Sequence, residues 1–173
     1  MIGGLARHRV EPARLNVTEQ DALSSYTTPP ALVERVRSVL GEIELDPATT
    51  VDNPVGATRF YTPADDGILQ PWNGARVFLN PPFGRTIRLW VEKAMREAAA
   101  GSPVVLLAPV RADSAWFHEA AKNARAILFF RGRLSYGIGG THNAAPFASC
   151  LMGFGVDLAP LSDLGLLLPG GAS

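Results

Sequence analysis

Asn80-Pro81-Pro82-Phe83, at the end of the apolar stretch 76–79, combines residue types that can act on a planar amine. Proline lacks an amide proton and pushes the residue before it into extended geometry. Asn80 and Pro81 each precede a proline, so both are held extended, and neither Pro81 nor Pro82 can donate to a sheet. The result is a stiff corner with outward carbonyls, one side-chain amide and one aromatic ring. The exocyclic amine of a nucleobase such as adenine is a poor nucleophile, because its lone pair is delocalised into the ring. Two acceptors, the Asn80 side-chain oxygen and the Pro81 carbonyl, can take its two protons and favour a pyramidal nitrogen. That arrangement supports positive charge as a methyl group passes from a sulfonium to nitrogen. A rigid corner also holds the nitrogen in line. Phe83 can stack on a base that has left the duplex. The methylated ammonium is acidic enough to lose its proton to water, so no His or Cys base is required.

Those residues need a scaffold, and the elements flanking them alternate. Residues 1–24 read as an irregular leader carrying Arg7, Arg9 and Arg14. Thr28-Pro29-Pro30 reads as a helix start, with Thr28 as cap and proline in the first turn. Leu32, Val33, Val36, Val39 and Leu40 give that helix an apolar face, and Gly41 ends it. Residues 42–45 form a short strand ending in Asp46-Pro47, and a loop-rich stretch with a strand at 57–61 precedes the corner. A helix follows over 86–100, a continuous apolar strand over 104–108, a helix capped by Asp113 and reaching Asn123, and a strand over 126–130. A glycine-rich loop spans 137–143, the last strand spans 146–154, and residues 156–173 form a C-terminal tail. This alternation predicts an α/β fold with a mostly parallel sheet and helices on both faces. Ligands of open sheets bind beyond the carboxyl ends of strands, where Asp46 and Asn80 both fall.

Composition narrows the classes. A chain of 173 residues suits one domain, and 47% hydrophobic with 18% charged residues excludes a disordered segment. No run approaches the roughly 18 apolar residues of a membrane span, and the N-terminus lacks the long apolar region of a secretory signal. The single cysteine, Cys150, lies in an apolar strand and reads as a buried thiol. A cytoplasmic location follows by elimination. His8, His118 and His142 lack ligand spacing, so no metal is expected, and no Gly-x-x-x-x-Gly-Lys loop points to an NTPase. Formal net charge is zero, so charge alone does not announce a nucleic-acid partner. Of the 16 basic residues, however, all but Lys93 and Lys122 are Arg, the better bidentate partner of phosphates and base edges.

Thr28-Pro29, Leu45-Asp46-Pro47-Ala48, Asp65-Asp66-Gly67, Trp72 and Asn80-Pro81-Pro82-Phe83 occur in that order. Leu107-Ala108-Pro109-Val110-Arg111, Asp113-Ser114-Ala115-Trp116-Phe117, Gly132-Arg133 and Pro146-Phe147-Ala148-Ser149 continue the series. With this ordered set, over residues 24–155, the chain resembles phage-type DNA N-6-adenine methyltransferases. The resemblance implies a three-layer, Rossmann-like methyltransferase sheet, S-adenosylmethionine as cofactor, and double-stranded DNA with a flipped-out adenine as partner. It places Asp46, with Pro47 and Ala48, near the methionyl end of the donor, where a carboxylate can pair with the ammonium. Thr28 and Pro29 match the segment that closes over the donor, and Asp66 falls near its adenosyl half. Asn80, Pro81, Pro82 and Phe83 match the catalytic element, and Arg111 and Arg133 match positions suited to phosphates or target bases. By analogy alone, phage relatives suggest protection of viral DNA from host nucleases.

Three departures accompany the resemblance. The glycine-rich turn after the first strand is missing, since Asp46-Pro47-Ala48-Thr49-Thr50 has no glycine before Gly56. Only about 30 residues separate Asp46 from Asn80, so the strand–helix units between them are abbreviated. Phe83 stands where Tyr is commoner. Other readings share the motifs: methylation of cytosine N4, an RNA base or a protein glutamine, or a catalytically inactive DNA-binding module. Asp46 before proline and Asp66 before glycine also suit plain turns, and Trp72, Trp90, Trp116 and Phe117 suit packing.

Overall fold

Helices form where apolar spacing leads. The computed structural model describes residues 27–138 and 141–172, so the leader 1–24 lies outside the described residues. Helix α1, Pro30–Leu40, buries Leu32, Val33, Val36 and Leu40, and Gly41 closes it at φ 78°, a conformation glycine adopts without strain. Thr28 is not its cap. Pro29 holds that position, and its carbonyl accepts from the Leu32 and Val33 amides. Helix α2, Ile87–Ala99, buries Ile87, Trp90, Val91 and Ala94. Helix α3, Ala115–Asn123, buries Phe117 and Ala120, with Ser114 rather than Asp113 at the N-cap position.

The strands are β1 (Leu45–Asp46), β2 (Arg59–Phe60), β3 (Val77–Leu79), β4 (Val104–Pro109), β5 (Ala126–Phe130), β6 (Ser135–Ile138), β7 (Thr141–Ala144), β8 (Ser149–Phe154) and β9 (Gly165–Pro169). Seven of them form one sheet in the order β2-β1-β3-β4-β8-β5-β9. β2, β1, β3 and β4 are mutually parallel, whereas β8 pairs antiparallel with both β4 and β5, and β9 pairs antiparallel with β5. The architecture is therefore α/β with a mixed sheet, parallel at one end, and not the mostly parallel sheet that alternation implied. The reason is physical: an apolar strand buried on both faces looks the same in either direction.

Two further elements depart from the expectation. Within the expected loop 137–143, the described residues 137–138 and 141–143 belong to strands, because β6 and β7 pair with Ser135 opposite Ala144 and Ile138 opposite Thr141. Residues 139–140 lie outside the described residues. The sheet also continues past Phe154. A 3-10 helix, Ala159–Leu164, leads into β9, whose Leu166-Leu167-Leu168 run pairs along β5.

One sheet face, with Leu45, Val77, Leu79, Leu106 and Met152, packs against Trp90, Val91 and Ala94 of α2 and Phe117 and Ala120 of α3. The other, with Phe78, Val105, Leu107 and Leu151, packs against α1 and against Leu158 and Leu161. Cys150 is buried, and burial pushes its thiol up to about 12, so it is chemically quiet. Among the described residues no helix is long and apolar enough to cross a membrane, and no group of three acidic, His or Cys residues is placed to hold a metal.

Candidate active site

β1 and β3 are adjacent and parallel, with Leu45 opposite Val77, so the residues leaving both strands emerge at the same sheet edge. Asp46 ends β1 and Asn80 follows Leu79 of β3. Beyond Asn80, Pro81 is buried, and a tight turn forms in which the Gly84 amide donates to the Pro82 carbonyl at 3.1 Å. The Asn80 Nδ2 donates to Thr28 Oγ1 at 3.0 Å, joining side chains 52 residues apart. Thr28, placed by sequence at a helix cap, instead sits buried against the corner.

Asp46 is 3% exposed. Its Oδ1 accepts from the Ala48 amide at 3.2 Å, and Thr49 also hydrogen-bonds the carboxyl. Among the described residues no Lys or Arg pairs with it. Burial, only partly opposed by the Ala48 and Thr49 hydrogen bonds, pushes the Asp46 carboxyl up to about 7. A buried carboxylate without a counter-charge is a costly group to retain. The chain holds it firmly nonetheless. The Tyr61 amide donates to the Asp46 carbonyl at 3.0 Å, and the Thr49 amide donates to the Tyr61 carbonyl at 3.0 Å, so the edge of β2 fixes both ends of this turn.

Asp66 occupies a turn at φ 55°, exposed, with its carbonyl accepting from the Leu69 amide at 2.9 Å. Its neighbour Gly67 lies so close to β1 that an added Cβ would stand 1.9 Å from the Pro47 oxygen. The Gly67 carbonyl accepts from Trp72 Nε1 at 3.1 Å, and Lys93 Nζ sits 5.5 Å from the Trp72 ring centre. The Asp65-Asp66-Gly67 turn is thereby pinned onto the end of β1, where Asp46 and Pro47 lie.

On the other side of the corner, Phe83 meets Phe147 edge-to-face at 5.5 Å and Tyr136 at 6.2 Å. Tyr136 is fully buried, with its hydroxyl 3.1 Å from Ser149 Oγ. An open cleft of about 410 Å³ runs from Phe83, Gly84 and Ile87 to Trp116 and Phe147, with Arg111, Asp113 and Ser114 at its polar side. Asn80 and Asp46 do not line it; Phe83 is the member of the corner that does.

Arg111 is exposed at the rim of this cleft, as its position after β4 requires, whereas Arg133, exposed in the turn after β5, is not part of it. Phe147 was not legible as a site residue. It arrives because β8 runs opposite to β4: Ser149 pairs with Pro109 and the Val110 amide donates to the Ala148 carbonyl at 2.8 Å. Residues preceding β8 therefore land where β3 and β4 end. Trp116, read as packing, is half-buried and faces the cleft. Trp72, Trp90 and Phe117 are core residues as that reading held.

Two similarities to known proteins bear on this arrangement. The family profile described as DNA N-6-adenine-methyltransferase (Dam) matches residues 15–149. The DNA N-6-adenine-methyltransferase of Escherichia phage T1 is 30% identical over 121 residues, covering 69% of this chain and 50% of that protein. The chain thus spans about half the length of this curated relative.

Proposed function

This chain belongs to the DNA N-6-adenine-methyltransferase family, and from that premise we propose that it transfers a methyl group from S-adenosylmethionine to the N6 amine of adenine in DNA. The observation that carries the reading is the shared sheet edge at which Asp46 and Asn80 emerge from adjacent parallel strands, with Phe83 at the wall of an open cleft. The stacking of α2 and α3, sheet, and α1 supports a three-layer, Rossmann-like core, abbreviated between β1 and β3 and forming one domain with the sheet that β9 completes.

The site fits the donor on chemical grounds. A buried carboxylate lacking a cationic neighbour suits the α-ammonium of a methionyl group, and Asp46 in the turn Asp46-Pro47-Ala48 is such a group. Thr28 borders the same edge through its bond to Asn80, with Pro29 next to it in the chain, and the pinned turn bearing Asp66 stands next to Pro47, which suits contact with the adenosyl half. When bound, the donor supplies an electrophilic methyl group on a sulfonium.

The chain's own residues do the rest. Asn80 Oδ1 and the Pro81 carbonyl accept the two protons of the amine and support its pyramidal form, while Pro82 stiffens the corner that holds them. Phe83, with its ring edges fixed by Phe147 and Tyr136, stacks on the extruded base. Arg111 at the cleft rim and Arg133 in the neighbouring turn meet phosphates or flanking bases. The proton released from the methylated nitrogen passes to water. Labelled donor incubated with DNA and RNA acceptors tests the reading, with N6-methyladenine in DNA as the expected product. The Asn80→Ala variant should lose transfer and keep donor affinity; full activity in that variant would refute the role assigned to the corner.

A further inference from the structure

We propose that Thr28 is a positioning residue that holds the Asn80 side-chain amide in place at the corner, and that strand β6 holds both Thr28 and Phe83 in register. The inference rests on the methyltransferase reading above and adds a role that the donor-binding assignment of Thr28 does not contain.

A side-chain amide has a donor end and an acceptor end that exchange places on a half-turn. Only one orientation offers oxygen to an amine; the other opposes two sets of N–H bonds. With Nδ2 donating to Thr28 Oγ1 at 3.0 Å, the amide is tied to the residue two before α1, in the orientation that turns Oδ1, its acceptor end, away from that hydroxyl. Thr28 is 7% exposed, which limits competition from water for that hydroxyl. Its hydroxyl is also spared from capping, because the N-cap position has moved to Pro29 and no side chain caps the helix.

Thr28 is itself tied down through its neighbour. The Thr27 amide donates to the Gly137 carbonyl at 3.1 Å, the Gly137 amide returns a bond to the Thr27 carbonyl at 3.2 Å, and Thr27 Oγ1 donates to the Gly137 carbonyl at 3.0 Å. The residue before Gly137 on β6 is Tyr136, which contacts Phe83 and anchors its hydroxyl at Ser149. One strand thus steadies the accepting oxygen through Thr27 and Thr28 and the stacking ring through Tyr136. Since transfer depends on alignment of the amine with its acceptors, the two must hold position together.

The test compares wild type with Thr28→Val, which keeps the branched shape without hydrogen bonding, and Thr28→Ser, which keeps the hydroxyl. For Thr28→Val, kcat should fall about 10–100-fold even at saturating donor and DNA, a loss that more donor does not restore. In the free protein, the side-chain amide NMR signals of Asn80 should lose their hydrogen-bonded shift and exchange faster with water. Thr28→Ser should recover both kcat and the amide signals, which separates the hydroxyl from packing; equal melting temperatures certify the fold. Unchanged Asn80 amide signals in Thr28→Val would overturn the link. So would a variant whose donor affinity drops while its saturated kcat holds, because the hydroxyl would then serve the donor. Absence of N6-methyladenine from the wild-type reaction would instead sink the functional reading, while the amide signals still decide the Thr28 link.

Discussion

Asp46→Asn removes a charge and keeps the shape, so its effects on the free protein and on donor binding should have opposite signs. The carboxyl titrates near 3.8 when unfolded and, by burial, near 7 when folded. Between those values the folded chain holds the proton more tightly, so stability falls as pH rises from about 4 to about 7 and is level above that window. Each factor of ten in proton affinity is worth about 1.4 kcal/mol, so the whole rise corresponds to roughly 4 kcal/mol of desolvation left uncompensated at high pH. Relaxation of the site and water penetration reduce this to the order of 2–4 kcal/mol. Urea unfolding at about pH 5 and about pH 8, on either side of the folded midpoint, should show wild type losing stability at the higher pH and Asp46→Asn losing less. Donor binding should go the other way, because the ammonium supplies the missing counter-charge. Wild-type affinity should rise with pH up to about 7, and Asp46→Asn at about pH 8 should bind the donor about 10–100-fold more weakly, the worth of a charge-assisted contact. Calorimetry with S-adenosylmethionine measures this directly. A variant that binds the donor as tightly as wild type, or that keeps the wild-type slope of stability with pH, refutes the reasoning.

Gly67→Ala should destabilise the fold by about 1–3 kcal/mol in urea unfolding and weaken donor binding, since its Cβ would stand 1.9 Å from the Pro47 oxygen; an unshifted midpoint would contradict the close approach. Phe147→Ala should raise KM for DNA by the order of one aromatic contact, about 1–3 kcal/mol, and spare donor affinity. Wild-type steady-state kinetics in that variant would remove Phe147 from the base-facing wall. Arg111→Gln should weaken DNA binding and lower the slope of log affinity against log salt by about 0.9, one phosphate contact. An unchanged slope would place Arg111 off the phosphate path.

Consecutive residues made the candidate corner and several elements legible. The extended corner at residues 80–83 follows from proline sterics, which act only on immediate neighbours. Helices α2 and α3 appear within two residues of where apolar periodicity puts them, and β5 spans the expected Ala126–Phe130. What lay outside such local rules belonged to tertiary structure. The direction of β8 depends on how the chain returns to the sheet, and that return delivers Phe147 to the cleft. Leu166-Leu167-Leu168 is too short a run to distinguish a tail from an edge strand until β5 offers it a partner. The burial that lifts the Asp46 carboxyl exists only once β2 and the Gly67 turn close over β1. Thr28 reads locally as a cap, because a Thr before two prolines has that propensity. Its bond to Asn80 spans 52 residues and forms only when α1 docks beside β3. Sequence determined which polar and aromatic groups stand at the proline corner; the folded sheet decided which of the candidate residues meet, because strand order and burial depend on contacts between residues far apart in the chain.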